Sequence, residues 1–258
     1  EIRPRDWSSD VCSSDLDWIT PDWPAPANVR AFVPTRNGGV SIAPRDSLNL
    51  GYKAGDDPQA VTQNRARVSA LMPQSPKWLA QVHGTRVVDA DAVTDTPAAD
   101  ASVASNPGTV CAIMIADCLP ILFADREGNH VAAAHAGWRG LSGGVIANTV
   151  AALKARGADP EKMLAYIGPG IGPTAFEVGT DVLEAFAAND PNAATCFRPH
   201  LPGKWLADLF ALARRALARE GVCDIHGGGL CTYRDPQRFF SYRRDKETGR
   251  MAAFIWRE

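Results

Sequence analysis

Three side chains in this sequence are of the kind that bind transition metals or move protons, and each stands beside a glycine or at the edge of an apolar run. They are His83 in QVHGT, Cys118 in ADCLP and His135 in AHAGWRG. Imidazole and thiolate are good zinc ligands, and three protein ligands leave a fourth tetrahedral position for water or substrate, the pattern of a catalytic site. The three residues are 35 and then 17 positions apart, so the chain must fold to bring them together. A packed thiol and hydrogen-bonded imidazoles are the ordinary alternative, and spacing alone leaves both readings open. A metal-free chemistry is also open: Cys118 as nucleophile, His135 as base and backbone donors as an oxyanion hole, the parts of a cysteine hydrolase.

The elements that must position these residues follow from patterning. TVCAIMIADC and LPILFAD are apolar and strand-like, REGN is a turn, and HVAAAHA can return antiparallel, which would bring Cys118 and His135 to neighbouring strand ends. KWLAQVHG reads as a strand ending at His83, and VRAFVPTR as a strand followed by the glycine-bearing turn RNGGVS. Asp57 can cap a helix with Pro58 at its first position. LSGGVIANTVAALKARG fits a helix closed by Gly157. KMLAYIG, GVCDIHGG and RMAAFIWRE read as strands, GTDVLEAFAAND and KWLADLFALARRALAREG as helices. This alternation predicts an α/β fold, a single layered α/β sandwich domain with a mixed sheet over residues 17–258.

With 258 residues, 45% of them hydrophobic, the chain can bury a substantial core. Its 27 basic and 29 acidic residues give a net charge of -2, which offers no electrostatic footprint for nucleic acid or an anionic membrane. A small-molecule partner is expected. No apolar run is long enough for a membrane span and no signal-peptide pattern occurs, so the expected location is cytoplasmic. Six cysteines without a C-x-x-C pair imply reduced thiols, and only Cys231 in GGLCTYRD joins Cys118 in a plausible site loop. Residues 1–16, EIRPRDWSSDVCSSDL, lack periodicity and resemble a translated sequencing adapter, so they are read as non-native or disordered.

Taken together, TRNGGVS, SLNLGYKAGDDPQAVTQNR, QVHGTRVV, IADCLPILFAD, AAAHAGWRG, IGPGIGPTAFEVG and CTYRDPQRFFSYRRDKETGR resemble the bacterial laccase-domain family. That family is also known as multicopper polyphenol oxidase, YfiH-like purine nucleoside phosphorylase or peptidoglycan editing factor. The resemblance spans residues 29–257 in order. It implies a layered α/β sandwich, often monomeric, with a zinc site on His83, Cys118 and His135. It also implies phosphorolysis of adenosine, inosine, guanosine and methylthioadenosine, with adenosine deamination as a second activity. The partners would then be a purine nucleoside and phosphate. Copper at the same ligands would support phenol oxidation, a laccase-like polyphenol oxidase, although five histidines are too few for a separate trinuclear cluster. The editing-factor name implies instead a peptidoglycan precursor as ligand.

Phosphorolysis needs an oriented anion, a sugar carbon able to take positive charge and a stabilised purine leaving group. Arg36 in TRNGG, Arg139 in GWRG and Arg243 in SYRR are candidates for the anion, because guanidinium offers paired donors to phosphate oxygens. Asn49 in LNLG and Glu177 in FEVG are candidates for the sugar hydroxyls, with turn or capping roles as competitors. Trp138 could stack on a base, and Gly137 and Gly140 would let the backbone turn beside His135. For deamination the H-x-E and P-C-x-x-C signature of zinc nucleobase deaminases is absent, and Glu177 and Asp117 are both open as the general acid.

Overall fold

Leu119–Asp125 and Val131–Ala136 form the antiparallel hairpin expected around the REGN turn, and every residue in both strands is buried. Leu119, Ile121, Phe123, Ala132, Ala134 and Ala136 join one apolar cluster, while Leu122, Ala124, Val131 and Ala133 join another. That division is the two-residue alternation a strand imposes on its side chains. The computed structural model, which describes residues 16–258, extends the hairpin into a six-stranded mixed sheet. Its order is Asp224–Gly227, Met163–Ile167, Leu119–Asp125, Val131–Ala136, Ala101–Ala104, Val87–Asp89, antiparallel in the middle and parallel at both edges.

A second, antiparallel sheet of four strands runs Trp18–Ile19, Val29–Pro34, Met251–Arg257, Cys111–Ile115. Its Ile113, Ile115, Ala253 and Ile255 share a cluster with Leu122, Ala124 and Ala133 of the first sheet. On the other face of the six-stranded sheet, the helices Val145–Lys154 and Leu209–Arg219 contribute Val145, Ile146, Val150, Leu212 and Leu217. Alanine at positions 132, 134 and 136 lets these helices approach closely. A small sheet of Phe197–Pro199, Lys204–Ala207 and Glu177–Gly179 completes the strands. Each fully buried Leu, Ile or Phe in these layers contributes about 1.5–3 kcal/mol. The result is the layered α/β architecture with a mixed sheet that the pattern predicts.

Three elements differ from expectation, each for a local reason. KWLAQVHG makes only isolated bridges, Lys77 to Cys111 and Ala80 to Ala98, because the main-chain N–H groups of residues 82–84 are given to the Asp100 carboxylate instead of a neighbouring strand. The helix expected from Leu141 to Gly157 starts earlier, at Trp138, and breaks at Gly144, whose φ of 99° is left-handed. Residues Lys204–Ala207 form a strand, and the helix after them begins at Leu209, where the Asp208 side chain accepts from Ala211 N. The Asp57 cap and Pro58 start are as expected. The reading of residues 1–16 lies outside the described residues except at Leu16, which packs against the apolar cluster of Phe32 and Trp256 and is therefore part of the fold. Among the described residues no helix is long and apolar enough to cross a membrane.

Candidate metal centre

The chain leaves the four-stranded sheet at Ile115 and enters the six-stranded sheet at Leu119, so Cys118 stands at the crossing between the two. The bend is held in an uncommon conformation: Asp117 has φ of 89°, a region that disfavours side chains other than glycine and costs energy unless the surroundings enforce it. They do so through the buried Asp117 carboxylate, which accepts from Thr232 Oγ1 at 2.6 Å and from Arg243 N at 2.7 Å. His135 lies on the adjacent strand opposite Pro120, and its side chain is buried. His83 reaches the same place from an exposed bend with φ of 61°.

Asp100 ties the two histidines together. It is fully buried, and its carboxylate accepts from the main-chain N–H of Val82, His83 and Gly84 at 3.2, 2.9 and 2.7 Å. Its Oδ1 is also 2.8 Å from His135 Nδ1, and its carbonyl accepts from His135 N at 2.7 Å. With Nδ1 donating to the carboxylate, Nε2 is the nitrogen His135 has left for Cys118 or a metal, the arrangement common behind metal-bound imidazoles. Burial pushes the Asp100 carboxyl up, but His135 and the N–H donors of Gly84 and Val82 outweigh that, and its pKa is lowered.

The ligand atoms of His83, Cys118 and His135 all lie within 4.8 Å of one another. Cys118 Sγ is 3.8 Å from His83 Nε2, and the two imidazole rings stand edge to face at 4.8 Å between centroids. Glycine is required beside them, since a Cβ at Gly137 would come within 2.9 Å of both Cys118 Sγ and His83 Cδ2. A Cβ at Gly140 would meet the Gly84 carbonyl oxygen at 2.8 Å. Burial is the largest influence on the Cys118 thiol and opposes its ionisation, yet His135 and His83 together bring its pKa down to about 6. Burial likewise opposes a charge on His135, while Cys118 and Asp100 outweigh it and lift the pKa to about 9. A thiolate and two imidazoles, one with a carboxylate behind it, are a donor set that fits a zinc-like ion with one position open. Exposure falls from His83 through Cys118 to His135, so the open side is toward solvent.

The remaining residues singled out from the sequence fall in different places. Arg243 is anchored next to the cluster: its main-chain N binds Asp117, its Nη1 donates to the Glu177 carbonyl at 2.7 Å, and its guanidinium lies 5.4 Å from the Phe176 ring. The Glu177 carboxylate is exposed beside His200 at 3.5 Å. Arg139 is exposed and stacked 4.4 Å over Trp138, at the start of the helix that follows His135. Arg36 and Asn49 are placed otherwise than expected. Arg36 donates to the Asp46 and Pro236 carbonyls and pairs with Asp46 at 3.1 Å. Asn49 is fully buried and closes its hydrogen bonds on Gly51, Asp56 and Arg250. Both brace loops instead of offering free groups to a ligand. Asp117, one of the two open candidates for general acid, is likewise consumed in holding the bend. Cys231 accepts from Gly172 N at 3.2 Å. Asp100 was not legible as a functional residue, because PAADAS gives no local signal and its partners are 16 to 35 positions away.

His130 lies at Ser105, His226 at Asp224 and His200 at Glu177, and among the described residues no second group of three metal-ligating side chains occurs. Fold and cluster together therefore define a layered α/β protein with a single His-Cys-His group open to solvent and suited to a transition metal. The chain belongs to the multi-copper polyphenol oxidoreductase laccase family, whose pattern matches residues 30–258. It is 53% identical over 240 residues to the purine nucleoside phosphorylase PA4543 of Pseudomonas aeruginosa, covering 93% of this chain and 98% of that one. It is also 53% identical over 244 residues to the purine nucleoside phosphorylase YfiH of Escherichia coli, covering 92% and 98%. Among solved structures, Neisseria meningitidis protein NMB0706 aligns with a TM-score of 0.90 at 54% identity, over 93% of this chain and 99% of that one. YlmD from Geobacillus stearothermophilus aligns with a TM-score of 0.86 at 34% identity, over 93% and 96%.

Proposed function

We propose that this chain is a metal-dependent purine nucleoside phosphorylase acting at the His83, Cys118 and His135 cluster, with zinc as its ion. The observation that carries the reading is the convergence of these three ligands in front of Asp100, in a chain 53% identical to proteins named purine nucleoside phosphorylase. In the reaction a phosphate oxygen bonds to C1′ of the ribose as the C1′–N9 bond breaks. The electron pair of that bond leaves with the purine, which takes up a proton, and the other product is ribose 1-phosphate. His83, Cys118 and His135 would hold a divalent ion, which would supply Lewis-acid polarisation to the reacting groups.

The chain's own residues account for the rest. Asp100 holds His135 in one tautomer and fixes the bend that carries His83. Trp138, next to Gly137, would stack on a base once the Arg139 guanidinium, 4.4 Å over its ring, moves aside. Arg243, whose main chain is held by Asp117 next to the cluster, and Arg139 on the exposed rim are the anion candidates of this reading, and Glu177 is its candidate for the sugar hydroxyls. Adenosine, inosine, guanosine and methylthioadenosine are the substrates of this reading, with adenosine deamination as a second activity.

A second reading has its own observation. Cys118, His135 and Asp100 stand in the order of a thiolate, an imidazolium and an orienting carboxylate, with the thiol brought down to about 6, which is the constellation of a cysteine hydrolase. Release of free purine from adenosine and inosine, with and without phosphate, tests the first reading when combined with elemental analysis of the protein. Phosphate-dependent release that a chelator abolishes supports the phosphorylase. Copper loading with phenol oxidation and no purine release moves the assignment to an oxidase. Activity that survives the chelator and is lost to thiol alkylation moves it to the hydrolase.

A further inference from the structure

The arginines differ in what their guanidinium groups already hold. Arg36 is consumed by two carbonyls and Asp46. Arg244 donates to the carbonyls of Thr232, Tyr233 and Phe239 and to the Asp245 carboxylate. Arg65 gives its Nε to the Leu50 carbonyl and lies over the rings of Tyr52 and Trp78. Arg243 and Arg250 use only Nη1: that of Arg243 donates to the Glu177 carbonyl at 2.7 Å, and that of Arg250 to the Thr248 and Gly249 carbonyls at 2.9 Å each, so the Arg250 guanidinium holds no acceptor beyond its own neighbours in the chain. Among the described residues the Arg250 Nε and Nη2 have no hydrogen-bond acceptor, and no carboxylate forms an ion pair with it.

Strand register fixes where Arg250 stands. Met251 pairs antiparallel with Ile115, so Arg250, one residue earlier, comes beside the bend of residues 116–118 that carries Cys118. Its main-chain N donates to the buried Asn49 Oδ1 at 2.8 Å. Its stem crosses Gly51 so closely that a Cβ there would come within 2.7 Å of Arg250 Cγ. The Tyr242 ring is 5.8 Å from its guanidinium carbon. Burial lowers the Arg250 pKa and is the largest influence on it, while Asp117, Cys118 and Tyr242 act through space in the opposite sense. The cation and the thiolate thus share one neighbourhood.

We propose that Arg250 is an oxyanion ligand of this site, receiving inorganic phosphate on its free Nε and Nη2 donors beside the His83, Cys118 and His135 cluster. A half-buried guanidinium without a paired carboxylate gains from an incoming anion, and that edge of the fork matches two phosphate oxygens. Asn49, nominated from the sequence as a sugar contact, becomes the support that fixes the Arg250 backbone. The choice of phosphate as the anion rests on the phosphorylase reading.

Isothermal titration of inorganic phosphate into the metal-loaded wild type, Arg250→Lys and Arg250→Gln tests the assignment. Adenosine 5′-monophosphate is titrated in parallel, and melting temperature and metal content are the controls. Wild type is expected to bind phosphate and Arg250→Gln to bind it at least about tenfold more weakly, the size of one lost charge-assisted contact. Arg250→Lys, which keeps the charge without the fork, falls between them, and metal content stays unchanged. If Arg250→Gln does not fold, the loss in Arg250→Lys decides. Equal phosphate affinity in the folded variants, no phosphate binding by wild type, or binding of the nucleotide alone overturns the assignment. Phosphate binding that depends on Arg250 without phosphate-dependent purine release leaves the assignment standing and removes the phosphorylase reading, so the two fail separately.

Discussion

Two polar regions of this molecule, the buried network around Asn64 and the His83, Cys118 and His135 cluster, behave differently in the fold. Around Asn64, every group closes on the protein: Nδ2 donates to Ser41 Oγ and to the carbonyls of Ser47 and Asn49, and Oδ1 accepts from Val40 N. Asn49 and Arg36 belong to the same closed loop system. At the metal centre the reverse holds. Cys118 Sγ and the two imidazoles converge on one another within 4.8 Å, with Sγ meeting His83 Nε2 at 3.8 Å, and the scaffold takes the His135 Nδ1 edge through Asp100. A buried polar group whose bonds close within the chain is scaffold, because opening it costs the desolvation of each partner. Donor atoms that converge without closing are available to a ligand.

The sharpest break of that contrast is Cys118→Ala. It removes a ligand without removing any hydrogen bond that supports the bend, so bound metal and turnover are expected to vanish while the melting transition and circular dichroism of the fold persist. A metal-loaded, active variant would refute the site.

Acidity gives the next largest effect. Between pH 6 and 9 the metal-free protein carries a Cys118 thiolate and a protonated His135, as their pKa values of about 6 and about 9 require. An entering ion must displace the His135 proton, so its affinity is expected to rise about tenfold per pH unit across that window, roughly a thousandfold in all, and to level off above it. Below pH 6 the slope steepens, since the thiol must also lose a proton. Titration against a metal-indicator dye at several pH values measures the slope, and a flat profile from pH 6 to 9 contradicts the thiolate and imidazolium pair.

Asp100→Asn should lower metal affinity by about 10- to 100-fold, the usual cost of losing a group that orients a ligand. Chelator competition reads it out, and Asp100→Glu should not restore full affinity because the longer side chain cannot meet three N–H groups and His135 together. The smallest effect at the site is expected from the other region. Asn64→Ala should reduce stability by about 1–3 kcal/mol by orphaning buried partners, measured by chemical denaturation, while metal affinity stays unchanged. A loss of metal in that variant would dissolve the distinction between scaffold and site.

Much of this was legible locally. The hairpin that sets Cys118 near His135 follows from two apolar runs flanking REGN, and the Asp57 cap with Pro58 fixes a helix start, because both depend on neighbours a few positions apart. The strand expected from Lys77 to His83 did not form, since the carboxylate that claims its N–H groups is Asp100, which nothing in the local pattern announces. Asn49 reads as a sugar contact or a turn residue and is fully buried against the Arg250 main chain, a contact between residues 201 positions apart.

The sequence by itself determined the ligand types, the layered α/β class and the pairing of Cys118 with His135, because residue chemistry and two-residue alternation are properties of short stretches. Only the tertiary structure decided that His83 joins them, that Asp100 stands behind both histidines, and which arginines keep donors free beside them. Those facts depend on strand register and sheet crossing, which bring together groups that no local spacing relates.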